Sequence, residues 1–127
     1  MGEKISSDEF NCAISGTFNE LSTSIIDYTV TVNTASPIGY DFFVESDSDF
    51  DITQAENILN KYLRKYNEYY ITFTDRGVLA KPRIFKLSKN TFIEYKKYKD
   101  HAHNNQFKQL HILEDSDSVN FFKSRIN

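Results

Sequence analysis

The spacing of hydrophobic and polar positions changes from a helical to a strand period in the first third of the chain. Over residues 7–21 apolar side chains recur three or four positions apart, which predicts a helix with one buried stripe. Ser6 and Glu9 have the spacing of a capping box at its start. Residues 26–32 and 38–44 alternate apolar and polar positions instead, as β-strands with one buried face do. The short break between them predicts a hairpin whose second strand has a mostly polar face.

A second helical period covers residues 52–66. Asp51 stands in the N-cap position, and the apolar side chains that follow share one stripe. Lys61, Arg64 and Lys65 lie near the other end, where the helix dipole favours positive charge. These features together predict a helix over the whole range.

Alternation returns in the second half of the chain. It predicts strands over residues 69–74 and 78–88, with Gly77 in the turn between them. Pro82 indicates a bulge or an edge position in the second strand, because proline cannot donate to a ladder. Residues 91–99 fit either a strand or a helix, and the hairpin-like link before them favours a strand.

A final strand around Leu110 and Ile112 and a short helix capped by residues 116–118 complete the pattern. The predicted order is α-β-β-α-β-β-β-β-α, a single α+β domain over residues 1–127. Its sheet should be largely antiparallel, with the helices packed on one face. This element order resembles that of cone-shaped NTF2-like folds, and the resemblance implies a fold without implying a function.

Composition excludes several classes of protein. The chain is 39% hydrophobic and has 11 Phe and 8 Tyr but only four Gly, unlike disordered or low-complexity chains. Its single cysteine, Cys12, excludes an intramolecular disulfide and suits a reducing compartment. No apolar run is long enough to span a membrane, and the first residues lack the pattern of a signal peptide. We therefore expect a cytoplasmic protein without membrane contact.

The small net charge of −3 hides an uneven distribution. Residues 1–60 have eleven acidic groups and one basic group, whereas residues 61–127 have fourteen basic and seven acidic groups. Such asymmetry predicts two surfaces of opposite sign. The leading hypothesis is a non-enzymatic binding protein that acts through these surfaces, as an inhibitor or antitoxin-like protein whose partner is a basic protein. Oligomeric state is left open.

The acidic run at residues 45–51 begins like a calcium-binding loop. Ile52 and Ile58 stand where such a loop needs Gly and Glu, so no metal site is predicted. A solvated loop before the next helix is one interpretation, and a contact edge for the partner is the other. The residues predicted to form that edge are Glu45, Asp47, Asp49 and Asp51.

Basic residues are interleaved with aromatic residues from residue 61 to 108, a stretch that has twelve Lys or Arg. Proteins that bind single-stranded nucleic acid use cations that contact phosphates and aromatic faces that stack on bases. A nucleic-acid-binding module is therefore the alternative function. A solvated charged face and a cleft for a small anionic ligand are the other interpretations. The residues predicted to bind nucleic acid are Lys81, Arg83, Lys86, Lys96, Lys97 and Lys99.

Three histidines lie close together in the sequence. On a strand, His101 and His103 would share a face that could hold a transition metal, but a solvated loop fits equally well. A third functional hypothesis is an enzyme in which Asp41 or Glu114 orients His111 as an acid–base group. Because no known nucleotide-binding, zinc-protease or hydrolase motif occurs, no catalytic residue, metal or cofactor is predicted.

Overall fold

Helices and strands follow one another irregularly along the chain. The structure, a computed structural model, describes residues 5–35, 37–103, 112–113 and 115–127, with residues 99–103 described by their backbone alone. The elements are α1 (Ser7–Glu20), β1 (Ile25–Asn33), β2 (Gly39–Ser46), α2 (Ile52–Tyr66), α3 (Glu68–Asp75), β3 (Arg83–Lys86), α4 (Thr91–His103), β4 (Ile112–Leu113) and α5 (Ser116–Lys123). No helix within the described ranges is both long and apolar enough to cross a membrane.

The two helices predicted from period and caps are confirmed. At the start of α1, Ser6 Oγ accepts a hydrogen bond from the Glu9 amide at 3.1 Å, and the Glu9 carboxylate accepts one from the Ser6 amide at 2.9 Å. Asp51 caps α2 by accepting from the Gln54 amide at 2.8 Å. Both caps satisfy amide groups that the first turn of a helix leaves without a partner.

The four strands form one mixed sheet in the order β3-β2-β1-β4. Strands β1 and β2 pair antiparallel, as the predicted hairpin requires, but β3 pairs parallel with β2 and β4 pairs parallel with β1. The α+β class is confirmed. The prediction of a largely antiparallel sheet is wrong, because helices rather than hairpin turns connect the later strands.

Helices cover both faces of the sheet, so the prediction of one covered face is wrong. Tyr40, Phe42 and Val44 of β2 pack with α1, α2 and α3 in one buried cluster. Phe43 packs on the opposite face against Phe122 of α5, in a second cluster that also includes α4. The expected polar face of β2 is therefore buried, because α4 and α5 shield it from solvent.

Two predicted strands are helices. Residues 69–74 belong to α3, which begins after Asn67, whose side-chain oxygen accepts from the Tyr70 amide at 2.8 Å. Residues 91–99 belong to α4. The aromatic and β-branched residues that suggested strands have only weak intrinsic preferences, which capping and packing override.

The predicted strand over residues 78–88 shortens to β3. Pro82 directly precedes it, and β3 is an edge strand, as the proline predicted. Gly77 has a φ of +74° in the turn that ends α3, a conformation that favours glycine. The final helix is confirmed as α5, although Asp115 is its N-cap. The predicted strand residue Leu110 lies outside the described residues.

Candidate functional site

A groove of about 330 Å³ lies where α5 packs beside the sheet. Strands β1, β2 and β3 contribute to it, and so does α5 along its length, from Ser116 to Lys123. The polar and charged side chains that line it include Thr31, Asn33, Asp41, Arg83, Asn120 and Lys123. The groove brings a carboxylate of β2 and a guanidinium of β3 into one place.

The central feature of this groove is a paired acid and base. Parallel pairing of β2 and β3 places Asp41 opposite Arg83. Arg83 Nε donates to Asp41 Oδ1 at 2.9 Å, and Arg83 Nη2 donates to Asp41 Oδ2 at 2.8 Å. Asp41 is buried, whereas the Arg83 side chain is 53% exposed. The hydrogen bond to Asp41 raises the pKa of Arg83, so the guanidinium stays charged at all working pH values.

Arg83 is also supported by an aromatic ring. Its Cζ lies 5.2 Å from the centroid of Phe85, and Phe85 in turn stacks on buried Phe43. A guanidinium held by a bidentate carboxylate and by a ring face has little freedom left. Lys123, the other cation of the groove, has no ion pair with any described residue. This arrangement can bind negatively charged oxygen atoms.

The acidic residues predicted as a contact edge are not all free for contact. Glu45 is buried and accepts hydrogen bonds from the amides at the start of α4. Asp49 forms an ion pair with Lys86, and this hydrogen bond lowers the pKa of Asp49. Asp51 caps α2, and Asp47 is exposed. A contact role for the exposed members of this run stays a prediction.

The basic residues predicted to bind nucleic acid lie on several elements. Alternation along β3 places Arg83 and Lys86 on opposite faces of the sheet, and both form ion pairs. Lys81 is exposed before β3, and Lys96 and Lys97 are exposed on α4. The backbone of Lys99 belongs to α4.

Ion pairs join the acidic and basic halves of the chain. Of the five ion pairs among described residues, three connect the first 60 residues to the remainder. These pairs are Lys61–Glu20, Arg83–Asp41 and Lys86–Asp49. Part of the charge that suggested two separate surfaces is therefore neutralised within the molecule.

The histidine hypotheses receive little support from the described residues. The backbone of His101 and His103 is helical, as part of α4. The strand geometry that suggested a pair of metal ligands therefore does not apply. His111 and Glu114 lie outside the described residues. In the part of the chain that is described, no three His, Cys, Asp or Glu side chains are grouped to hold a metal.

Sequence reasoning named Asp41 and Arg83 but assigned them to unrelated hypotheses. The available signal was a charged residue inside a strongly apolar strand, since a buried carboxylate needs a hydrogen-bonded partner. Lys123 was missed because one lysine in the last turn of a helix is explained by the helix dipole.

The fold is similar to part of two solved structures. One, described as "GH3.15 acyl acid amido synthetase", matches with a TM-score of 0.81 and 13% identity over 94% of this chain and 24% of that chain. The other, "AtGH3.15 acyl acid amido synthetase in complex with 2,4-DB", matches with a TM-score of 0.83 and 14% identity over 100% of this chain and 25% of that chain. Our chain thus spans about a quarter of their length. No curated protein sequence matches it.

These similarities correct two predictions. The fold is that of the matched synthetase segment rather than an NTF2-like cone. The hypothesis of a non-enzymatic inhibitor or antitoxin-like protein is wrong, because the sequence matches a domain of the GH3 family and the fold matches part of two chains described as acyl acid amido synthetases. The sequence model of the family described as "GH3 family C-terminal domain" matches residues 8–117, which is most of the chain. The chain therefore belongs to the GH3 family, as a C-terminal domain of that family.

Proposed function

We propose that this chain works as one domain of an enzyme that joins an acyl acid to an amine through an amide bond. The observation that carries the proposal is the family match over residues 8–117. Fold similarity to two chains described as acyl acid amido synthetases supports it. Because those chains are about four times longer, the proposal assigns this chain a part of the catalytic unit.

Packing supports a domain that keeps its shape while it works beside other domains. Both faces of the sheet are covered, one by α1, α2 and α3 and the other by α4 and α5. Tyr95 and Ser118 join the last two helices through a buried hydroxyl hydrogen bond of 2.8 Å. A segment with its own two-sided core can be moved as a rigid unit. We also propose that it works in the cytoplasm, where exposed Cys12 would stay reduced.

Amide synthesis by the natural gene product that includes this chain tests the proposal. The purified protein is incubated with ATP, a panel of carboxylic acids and a panel of amino acids, and the products are analysed by mass spectrometry. We expect at least one acid–amine pair to give a product with the combined mass of both reactants less one water.

A matched variant shows whether this domain takes part in that reaction. Replacing Phe43 by Ala removes a large buried side chain between the sheet and α5, and should lower the free energy of unfolding of the domain by about 3–5 kcal/mol. Ile93→Ala is the control, because Ile93 is 57% exposed. Amide formation should fall in the first variant and persist in the second. If the folded wild-type protein condenses no pair, the proposed function is wrong.

A further inference from the structure

We propose that the groove between the sheet and α5 binds a small oxyanion, the carboxylate or phosphate group of a small molecule, through Arg83 and Lys123. This proposal goes beyond the amide-forming activity and does not depend on it. It assigns a ligand to a cavity that residues of this chain line.

Arg83 is positioned to bind a second anion while it holds the first. A guanidinium has five N–H donors in a planar fork, and Asp41 occupies the Nε edge and one Nη2 position. No described residue accepts from the remaining donors. The free end of the fork presents two parallel N–H groups, which is the geometry that carboxylate and phosphate oxygens prefer.

Burial of Asp41 makes this arginine a fixed receptor. Asp41 is 4% exposed, and its bidentate contact and the Phe85 ring together hold the guanidinium plane. A ligand that binds a preorganised arginine avoids the cost of ordering a long flexible side chain. This is the difference between Arg83 and the exposed lysines of α4.

The charge and size of the groove favour a small anion. Its charged lining residues are Arg83, Lys123 and Asp41, so their net charge is +1. Asp117 is adjacent in sequence to a lining residue, but it is exposed and does not line the groove. A volume of about 330 Å³ is at the lower end for small-molecule pockets. The side-chain amides of Asn33 and Asn120 can donate further hydrogen bonds to such a ligand.

Titrations of the full chain with inorganic phosphate and, separately, with acetate test the proposal. Binding is followed by amide chemical shifts at constant ionic strength, with chloride as the reference anion. We expect saturable shifts confined to the groove. Tighter binding of phosphate identifies a phosphate group as the natural ligand, and equal or tighter binding of acetate identifies a carboxylate.

Three variants locate the site. Lys123→Met should weaken binding about tenfold, because it removes a charged donor. Lys97→Met removes another exposed lysine, this one from α4, and should leave binding unchanged. Arg83→Lys keeps the charge but loses the fork, so it should also weaken binding about tenfold. Native-like spectra of each variant confirm folding. Absence of saturable binding, or equal affinity in the Lys123 and Lys97 variants, would overturn the assignment.

Discussion

Glu45 of β2 caps the helix to which Phe92 belongs. One oxygen of its carboxylate accepts the Phe92 amide at 2.9 Å, and the other accepts the Asn90 amide at 2.7 Å. A carboxylate at the N-terminus of a helix satisfies amides that have no partner within the helix and interacts favourably with its dipole. A residue near the end of β2 therefore caps the start of α4, although it lies 47 positions before Phe92 in the chain.

Removing this cap should destabilise the chain strongly. Glu45→Ala leaves the buried Phe92 amide and the partly buried Asn90 amide without an acceptor, and should lower the free energy of unfolding by about 2–4 kcal/mol. Urea denaturation followed by circular dichroism measures the change. Asp47→Ala is the control, since it removes an exposed carboxylate from the same acidic run and should cost less than about 0.5 kcal/mol. Equal effects of the two changes would show that Glu45 does not stabilise α4.

Gly16 allows α1 and α2 to approach closely. A Cβ atom at this position would lie 2.9 Å from Tyr62 Cε1, so the ring would have to move. Alanine would gain about 1 kcal/mol of helix propensity, but overpacking costs about 1–3 kcal/mol. We expect Gly16→Ala to lower the thermal midpoint of unfolding.

The neighbouring residue supplies a control for Gly16. Ser15 is exposed on the same helix, so Ser15→Ala should leave the midpoint unchanged or raise it slightly. Adding Tyr62→Leu to Gly16→Ala should recover part of the loss, because it removes the ring that meets the new methyl group. A midpoint that rises in the single Gly16 variant would contradict the close contact.

Glu56 protects the outer edge of the sheet. Strand β3 is an edge strand, and the Ile84 amide donates to Glu56 Oε2 at 2.9 Å. Glu56→Ala leaves this amide free to pair with another chain. We expect a loss of about 1–2 kcal/mol of stability and concentration-dependent association in sedimentation velocity experiments. Glu56→Gln keeps an acceptor oxygen and should remain close to wild type. Association of both variants to the same extent would argue against a protected edge.

Lowering the pH should destabilise the start of α1, because Glu9 becomes protonated. A hydrogen bond from the Ser6 amide lowers the pKa of Glu9 below its ordinary value of 4.5, against the opposing effect of burial, and Asn67 adds a further hydrogen bond. Because the folded-state pKa is the lower one, this contribution is complete above the unfolded pKa and is lost as pH falls through the folded pKa. As the pH is lowered from above to below 4.5, the thermal midpoint of unfolding should therefore fall less steeply in Glu9→Gln than in wild type. Asp8→Asn is the control, and an unchanged pH profile in Glu9→Gln would contradict the interpretation.

Local signals were sufficient for part of the fold. Helix α2 matches its predicted range at both ends because its cap at Asp51 and its apolar stripe lie within the same short segment. The strand prediction for residues 69–74 was wrong, although a local signal for a helix was present. Asn67 is the N-cap of α3. The alternation of aromatic residues concealed it. For α4 no such local signal exists, because its capping carboxylate belongs to β2.

The candidate site shows the same division. Asp41 and Arg83 were each singled out, but their pairing depends on β3 lying parallel to β2. Parallel neighbours are connected through helices, so no short-range spacing reports them. The uneven charge distribution suggested an inhibitor because sequence order alone cannot show that carboxylates and cations pair across the folded molecule. The family match corrected that inference.

From its residues alone, the chain determines the α+β class, the two capped helices of its first half and the hairpin between them. These features depend on contacts between near neighbours, which hydrophobic period and capping residues report directly. Tertiary structure alone decides which strands pair in parallel, that both faces of the sheet are buried and that Lys123 shares a groove with Arg83. Those outcomes depend on contacts between residues far apart in the chain, and such contacts exist only once the helices and strands have packed.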